Sequence, residues 1–331
     1  MLGEHFESEI REQPDVWRAI AASTKARSLA DALRGRDVLF LGSGSSLFMA
    51  QLGALALRKR GVRAHALAST EAPFDHAAYK DCVVVACSQS GRSDDLLHAL
   101  DILQPREIVA LTNTQDSPLA SRAALVIDVG AGTERAVPAS KSVSATAAIL
   151  LWSASLLDDE PRRSAEILEE IAHHVGAWLE GGMRDVRDAG KEIAQRKSVV
   201  IVGTGYGLAV ANEFALKLKE ASYIHAEGFS AGEFRHGSAA ILDATYAVVG
   251  VVDDASRAIV QRPLAKAAES GSLRFTVGSA IDGMSLLGPA AEGEFAVLGW
   301  LVAAQAIALE TGRARGVDSD APRGQSKVLE S

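Results

Sequence analysis

Two stretches of this chain share one pattern. Val38-Leu39-Phe40-Leu41 is an unbroken apolar run that ends in Gly42-Ser43-Gly44-Ser45-Ser46 and passes into a helical stretch from Leu47 to Arg60. Val199-Val200-Ile201-Val202 ends in Gly203-Thr204-Gly205-Tyr206-Gly207, offset from the first by 161 residues (Gly42 to Gly203, Gly44 to Gly205). Short runs that are apolar throughout, without alternation, are strands buried on both faces, and such strands belong to parallel sheets covered by helices. The same grammar continues in each half. Cys82 to Cys87 runs into Ser88-Gln89-Ser90-Gly91 and a helix from Ser93 to Leu103, with further strands at Glu107 to Thr112 and Leu125 to Val129. Ala247 to Val252 and Leu273 to Val277 answer two of these in the second half. The pattern predicts an α/β chain with two tandem units, each a doubly wound parallel sheet flanked by helices. The expected divisions are an N-terminal helical segment (1–35), a first domain (36–160), a charged helical connector (161–196), a second domain (197–314) and a tail (315–331). Pro14 is expected to begin or break an element between Ile10 and Trp17.

A length of 331 residues suits two domains, and 48% hydrophobic with 23% charged residues is an ordinary globular composition. A net charge of −8, with no Lys/Arg-rich run, argues against a nucleic-acid surface. Cys82 and Cys87 are the only cysteines and lie in one apolar run, which points to a reduced cytoplasmic setting rather than a disulfide scaffold or metal site. The N-terminus is acidic and polar, unlike a signal peptide. The longest apolar stretch, Phe295 to Leu309, is broken by Gly299 and Gln305 and is too short for a membrane span.

In open parallel sheets, ligands bind at the carboxyl ends of strands. Two such ends carry Ser45, Ser46, Ser88, Gln89, Ser90 and Ser93, which offer hydroxyl, amide and backbone N–H donors at helix N-termini, a way to hold phosphate without lysine. Helix capping would need one serine per helix. Five at two strand ends exceed that. Other phosphate sites fit worse: there is no P-loop pattern, and the dinucleotide fingerprint fails at Leu47 and Leu208, where its last glycine should stand. A second chemical stretch runs from Glu213 to Gly237. Its first half predicts a helix from about Ala209 to Tyr223, which puts Glu213, Lys217 and Glu220 on one face. Its second half, punctuated by Gly228, Gly232 and Gly237, has loop composition and holds His225, Glu227, Glu233 and His236. A solvated charged face with ordinary surface histidines explains the spacing as well as a site does. Beside a sugar phosphate, a carboxylate base, a histidine and a lysine would suit proton transfer α to a carbonyl.

Four motifs carry a family resemblance: Ser88-Gln89-Ser90-Gly91; the block from Leu216 through Lys217 and Glu220 to Glu227; Gly232-Glu233-x-x-His236-Gly237; and Pro322-Arg323-x-x-x-Lys327. Together they resemble the sugar isomerase (SIS) domain pair of glucosamine-6-phosphate synthase and its stand-alone relatives, a flavodoxin-like fold. Glu9-Ile10-x-Glu12-Gln13-Pro14 has the same look. The resemblance implies that Ser46, Ser88, Gln89, Ser90 and Ser93 bind phosphate and sugar, with Ser45 and Val137 beside them. It implies that Glu220 moves a proton between C1 and C2, and that His236 opens the sugar ring across a homodimer interface. Lys217 would assist at the first carbons, and Lys327, on a tail that acts as a lid, could form an imine. Neither a metal nor an organic cofactor is implied.

The departures point to a subtype. No glutaminase domain or N-terminal cysteine nucleophile is visible, so ammonia from glutamine is not expected. Arg92-Ser93-Asp94-Asp95 follows the serine motif where the synthase has a Glu-Thr pattern, and Ala139 stands where the synthase has serine. The expectation is a glucosamine-6-phosphate deaminase that releases fructose 6-phosphate and ammonia. Alternatives are a deglycase or isomerase for another amino-sugar phosphate, the reverse amination with free ammonia, or a non-catalytic sugar-phosphate sensor.

Overall fold

The computed structural model describes residues 1–158, 163–291 and 293–324. It opens with α1 (Glu4–Ala21) and α2 (Lys25–Leu33), followed by β1 (Val38–Gly42), α3 (Ser45–Arg58), β2 (Ala64–Ala68) and β3 (Val83–Ser88). Next come α4 (Asp94–Leu103), β4 (Ile108–Thr112), α5 (Pro118–Arg122), β5 (Leu125–Asp128) and α6 (Lys141–Ser155). After α7 (Ser164–Glu180) and α8 (Arg184–Ala194), the second series runs β6 (Ser198–Gly203), α9 (Tyr206–Ser222), β7 (His225–Ser230) and β8 (Tyr246–Val252). It closes with α10 (Arg257–Glu269), β9 (Leu273–Gly278), β10 (Ser285–Leu287) and α11 (Ala296–Ala314).

The strands make two five-stranded sheets, β2-β1-β3-β4-β5 and β7-β6-β8-β9-β10. Every pairing is parallel. Numbered from its own first strand, each sheet has the order 2-1-3-4-5 of a flavodoxin-like doubly wound fold. The build reverses direction at β1/β3 and again at β6/β8, and the carboxyl ends of those pairs are where such sheets open a crevice.

Contacts divide the chain into two compact units. One holds the first sheet, from residues 15–134 and 141–169; the other holds the second sheet, with residues 1–14, 135–140 and the described residues from Glu170 to 324. In the first, Leu39, Leu41, Val84, Ala86 and Ala110 pack on Leu96 and Leu100 of α4. In the second, Val200, Val202, Val248 and Val252 pack on Val260 and Leu264 of α10 and on Phe234.

Two local expectations are corrected. Pro14 neither begins nor breaks a helix, because α1 runs through it. The amide that proline lacks would have bonded to the carbonyl four residues back. That carbonyl, of Ile10, accepts instead from the side chain of Gln13, Nε2 to O 3.1 Å, so the turn is completed from the side. The stretch from His225 is not all loop either: His225–Ser230 is β7, the edge strand beside β6, registered from Ser198↔His225 to Gly203↔Ser230. Its residues are mostly half-buried or exposed, which hid the strand from an apolar-run search.

Candidate active site

At the crevice of the first sheet, β1 ends at Gly42 and α3 begins at Ser45. The turn between them depends on Gly44, at φ +55° and ψ −129°, a backbone region that side chains avoid. Ser45 and Ser46 form the first turn of α3 and are half-buried. At the end of β3, the buried Ser88 hydroxyl accepts from the Gly91 amide at 3.0 Å, and the Ser90 hydroxyl accepts from the Arg92 amide at 3.2 Å. The Gln89 carbonyl accepts from the Asn113 amide at 3.1 Å and from the hydroxyls of Thr112 and Thr114, each at 3.3 Å. That carbonyl thus pins the loop and leaves the Gln89 side chain for other work. Gly91 sits at φ +63°, and a Cβ there would meet Ser117 Oγ at 2.2 Å. Ser93 is the N-cap residue of α4, yet its hydroxyl makes no capping bond. The two strand ends are neighbours through the β1/β3 pairing, so this sheet gathers Ser45, Ser46, Ser88, Gln89, Ser90 and Ser93 at one edge.

The second sheet carries the ionisable groups. Along α9, Glu213 and Lys217 are 0% and 1% exposed, while the Glu220 side chain is 17% exposed. Lys217 Nζ lies 2.5 Å from Glu220 Oε2 and 3.5 Å from Glu213 Oε1. A solvated face does not bury a lysine between two carboxylates. Burial without partners is costly for such charges, and here they compensate one another. Glu220 is the member of the cluster that reaches solvent.

The helix ends at Tyr223, which is left-handed at φ +55° and ψ 20°. That conformation costs a non-glycine residue about 1–2 kcal/mol. After β7, Phe234 is fully buried and packs at a tilt against Phe229 with ring centroids 5.0 Å apart, anchoring a short 3-10 turn. His236 follows two residues later and is exposed. His225 is elsewhere: it starts β7 at the amino end of the sheet, where its Nδ1 lies 2.7 Å from Ser198 Oγ. Val137 is half-buried in the 135–140 loop of this unit. Carboxylate Oε1 of the buried Glu9 receives the amides of Arg135 and Ala136 at the start of that loop, the latter at 3.3 Å. Lys327 lies outside the described residues.

Residues 318–323 are tied to the rest of their unit. Asp318 Oδ1 accepts from the Gly3 amide at 2.9 Å, and the Asp320 carboxylate accepts from the amides of His5 and Phe6 at 2.8 and 2.9 Å, capping α1. The Arg323 amide donates to Tyr223 Oη at 2.6 Å, and its guanidinium lies 4.5 Å from the centre of that ring. Neither the capping aspartates nor the Tyr223 contact was visible in the sequence, since each joins residues a hundred or more positions apart.

Among the described residues, no cluster of three or more His, Cys, Asp or Glu side chains could hold a metal ion. No described helix is long and apolar enough to cross a membrane. Burial pushes the Cys87 thiol up to about 12, so it is unreactive near neutrality.

The family model described as SIS domain matches residues 34–156 and 192–272. The chain belongs to the SIS domain family. It is 30% identical to the glutamine–fructose-6-phosphate aminotransferase (isomerizing) of Pyrobaculum aerophilum, over 97% of this chain and 56% of that protein. The chain spans about half the length of the curated relatives it matches. A Silicibacter pomeroyi structure described as a candidate phosphosugar isomerase superposes with a TM-score of 0.82 at 27% identity, covering 96% of this chain and 100% of that one. The glucosamine-6-phosphate deaminase of Thermotoga maritima superposes with a TM-score of 0.79, covering 98% of this chain and 99% of that one, but at 19% identity it speaks to the fold alone.

Proposed function

We propose that the chain is a phosphosugar aldose–ketose isomerase that deaminates glucosamine 6-phosphate. The observation that carries the reading is the buried Lys217, held between Glu213 and Glu220 with only Glu220 reaching solvent. Family membership and the serine-lined strand ends support a sugar phosphate as the substrate class. Ser46, Ser88, Ser90 and Ser93, with Ser45, Gln89 and the Val137 loop, hold the phosphate and sugar. His236, offered from a second copy of the chain, moves the proton that opens the ring. Glu220 takes the proton from C2 of the open aldehyde, and Lys217 offsets the negative charge that develops on the C1 oxygen. Returning that proton to C1 gives the C2 imine of fructose 6-phosphate. Water adds to the imine carbon and ammonia leaves, so that one water is consumed for each ammonia released. Lys327 is the amine proposed for a transient imine with an open-chain carbonyl: one water leaves as the imine forms and is taken up again when it is hydrolysed.

Detecting ammonia and fructose 6-phosphate together, with purified protein and glucosamine 6-phosphate, tests the reading. Stoichiometric release of both is expected. Galactosamine 6-phosphate and a fructosamine 6-phosphate adduct run alongside, and turnover of either alone would move the substrate assignment. No product from any of the three would overturn the deaminase reading and favour a sensor. The 30% identity to an aminotransferase supports a second reading, in which the same groups aminate fructose 6-phosphate with free ammonia. Glucosamine 6-phosphate formed from fructose 6-phosphate and ammonium would establish that direction.

A further inference from the structure

Glu9 and Gln13 lie four residues apart on α1, so they share one face of that helix, and both are buried. What they hold is the strip 135–140. Its contacts assign it to the unit of the second sheet, although the chain on either side of it belongs to the unit of the first. Glu9 Oε1 takes the amides of Arg135 and Ala136 at the start of the strip. At its end, Gln13 Nε2 donates to Gln305 Oε1 at 2.7 Å, and Gln305 Nε2 donates to the carbonyl of Ser140 at 3.4 Å. Gln305 is itself fully buried on α11, the helix that packs against α9 with its Lys217 and Glu220. Between the two anchors burial alternates: Ala136, Pro138 and Ser140 are buried, while Val137 and Ala139 are half-buried.

Stability does not explain this choice of residues. A buried carboxylate and two buried side-chain amides carry desolvation costs that apolar side chains of the same size avoid. Gln13 adds to the cost, because its nitrogen is committed to Gln305 and to the Ile10 carbonyl while its oxygen has no partner among the described residues. What such groups supply is geometry, since hydrogen bonds have direction and apolar burial does not.

We infer that Glu9 and Gln13 are positioning residues, a clamp on α1 that sets the strip 135–140 so that Val137 meets the sugar of the substrate. The inference rests on the proposed sugar-phosphate site and divides its labour: the serines of the first sheet hold the phosphate, and the clamped strip orients the sugar.

Calorimetry with fructose 6-phosphate, beside phosphorus NMR with inorganic phosphate, reads the clamp, because only the first ligand carries a sugar. Glu9→Ala should weaken fructose 6-phosphate by about 10²-fold, and Glu9→Gln, whose oxygen can still accept an amide, by about tenfold, the scale of losing hydrogen bonds to a charged group. Gln13→Met keeps length and burial without the donor and should also cost about tenfold, and the double variant with Gln305→Met should be no worse, since both residues serve one relay. Inorganic phosphate should bind all of these variants as it binds the unmodified protein. A variant that is partly unfolded loses sites for both ligands in equal proportion, so the ratio of the two affinities separates position from folding. Turnover of glucosamine 6-phosphate should fall by about 10²-fold in kcat/KM in Glu9→Gln, because a small displacement of bound substrate is felt in the chemical step. Both ligands weakened alike in Glu9→Gln and Gln13→Met, or neither weakened, would overturn the clamp. Unmodified protein that binds fructose 6-phosphate, with the expected losses in the variants, yet releases no ammonia from glucosamine 6-phosphate would sink the deaminase and leave the clamp standing. Ammonia release by the unmodified protein and undiminished in the variants would do the reverse. No binding of fructose 6-phosphate to the unmodified protein would overturn both.

Discussion

The two sheets have the same strand order, and the turn that leaves the first strand is repeated almost angle for angle. Gly44 stands at φ +55° and ψ −129°, and Gly205 at φ +59° and ψ −127°. Beyond the turn the two sheets diverge. Where the first sheet has Ser45 and Ser46, the second has Tyr206 and Gly207, and the Tyr206 hydroxyl donates to Glu294 at 2.8 Å. Where β3 ends in Ser88-Gln89-Ser90, β8 ends at Val252 and runs into Asp253-Asp254, with Asp253 Oδ1 accepting from the Ser256 amide at 2.7 Å. One set of strand ends carries neutral donors; the other carries carboxylates and a buried tyrosine. The duplicated topology fixes where a ligand could sit, and the side chains decide which copy can take an anion. The second copy carries its buried ionisable cluster, Glu213, Lys217 and Glu220, on the flank instead, along α9.

The division can be attacked from either side. Glu220→Gln strikes the chemistry and spares the serines, so turnover of glucosamine 6-phosphate should fall about 10²- to 10⁴-fold while fructose 6-phosphate still binds, as followed by calorimetry. A matching loss of binding would mean that Glu220 is not acting as a proton carrier. Ser90→Asp gives the first crevice the charge of the second and sets a carboxylate against the phosphate. Its affinity for fructose 6-phosphate should drop by about 10² or more. The mirror change, Asp253→Ser, should leave that affinity untouched and cost about 1 kcal/mol in a thermal melt through the weakened turn before α10.

The smallest expected effect uses acid to address the unit of the second sheet. Burial by itself raises Glu7, but Arg11 and Arg313 outweigh it and hold the carboxyl below its ordinary value. The ion pairs are 2.8 Å to Arg11 and 2.7 Å to Arg313. A depressed folded value means that the contribution is complete above the ordinary carboxylate range and fades as pH falls through the lower folded value. Melting curves between pH 5 and 3 should therefore lose stability less steeply in Arg313→Met than in the unmodified protein.

Seven strands could be read as apolar runs; six of them are mostly buried, and the seventh, β5, is an edge strand that is half-buried but still apolar over Leu125-Val126-Ile127. The three missed ones, β2, β7 and β10, are edge strands that include half-buried or exposed residues. β7 shows why: His225-Ala226-Glu227-Gly228 satisfies its backbone on β6 alone and needs little apolar surface. At the site, the 3.6-residue period placed Glu213, Lys217 and Glu220 on one face, but a period does not say whether a face meets water or protein. Burial of Lys217 decided that, and burial depends on what packs around α9, here α11 and the strands of the second sheet, which no local pattern contains. The left-handed Tyr223 was equally hidden, as was its contact with Arg323, one hundred positions away.

The aspartate cap on α1 has a consequence for how the molecule is made. The first turn of the first helix is completed by carboxylates more than three hundred residues later, with Gly3 and Asp318 separated by 315 positions. During synthesis, that turn is made well before its cap and keeps open amides until Asp318 and Asp320 follow. Formation of the cap therefore waits for Asp318 and Asp320, and a chain cut before Asp318 would keep the first amides of α1 without these partners.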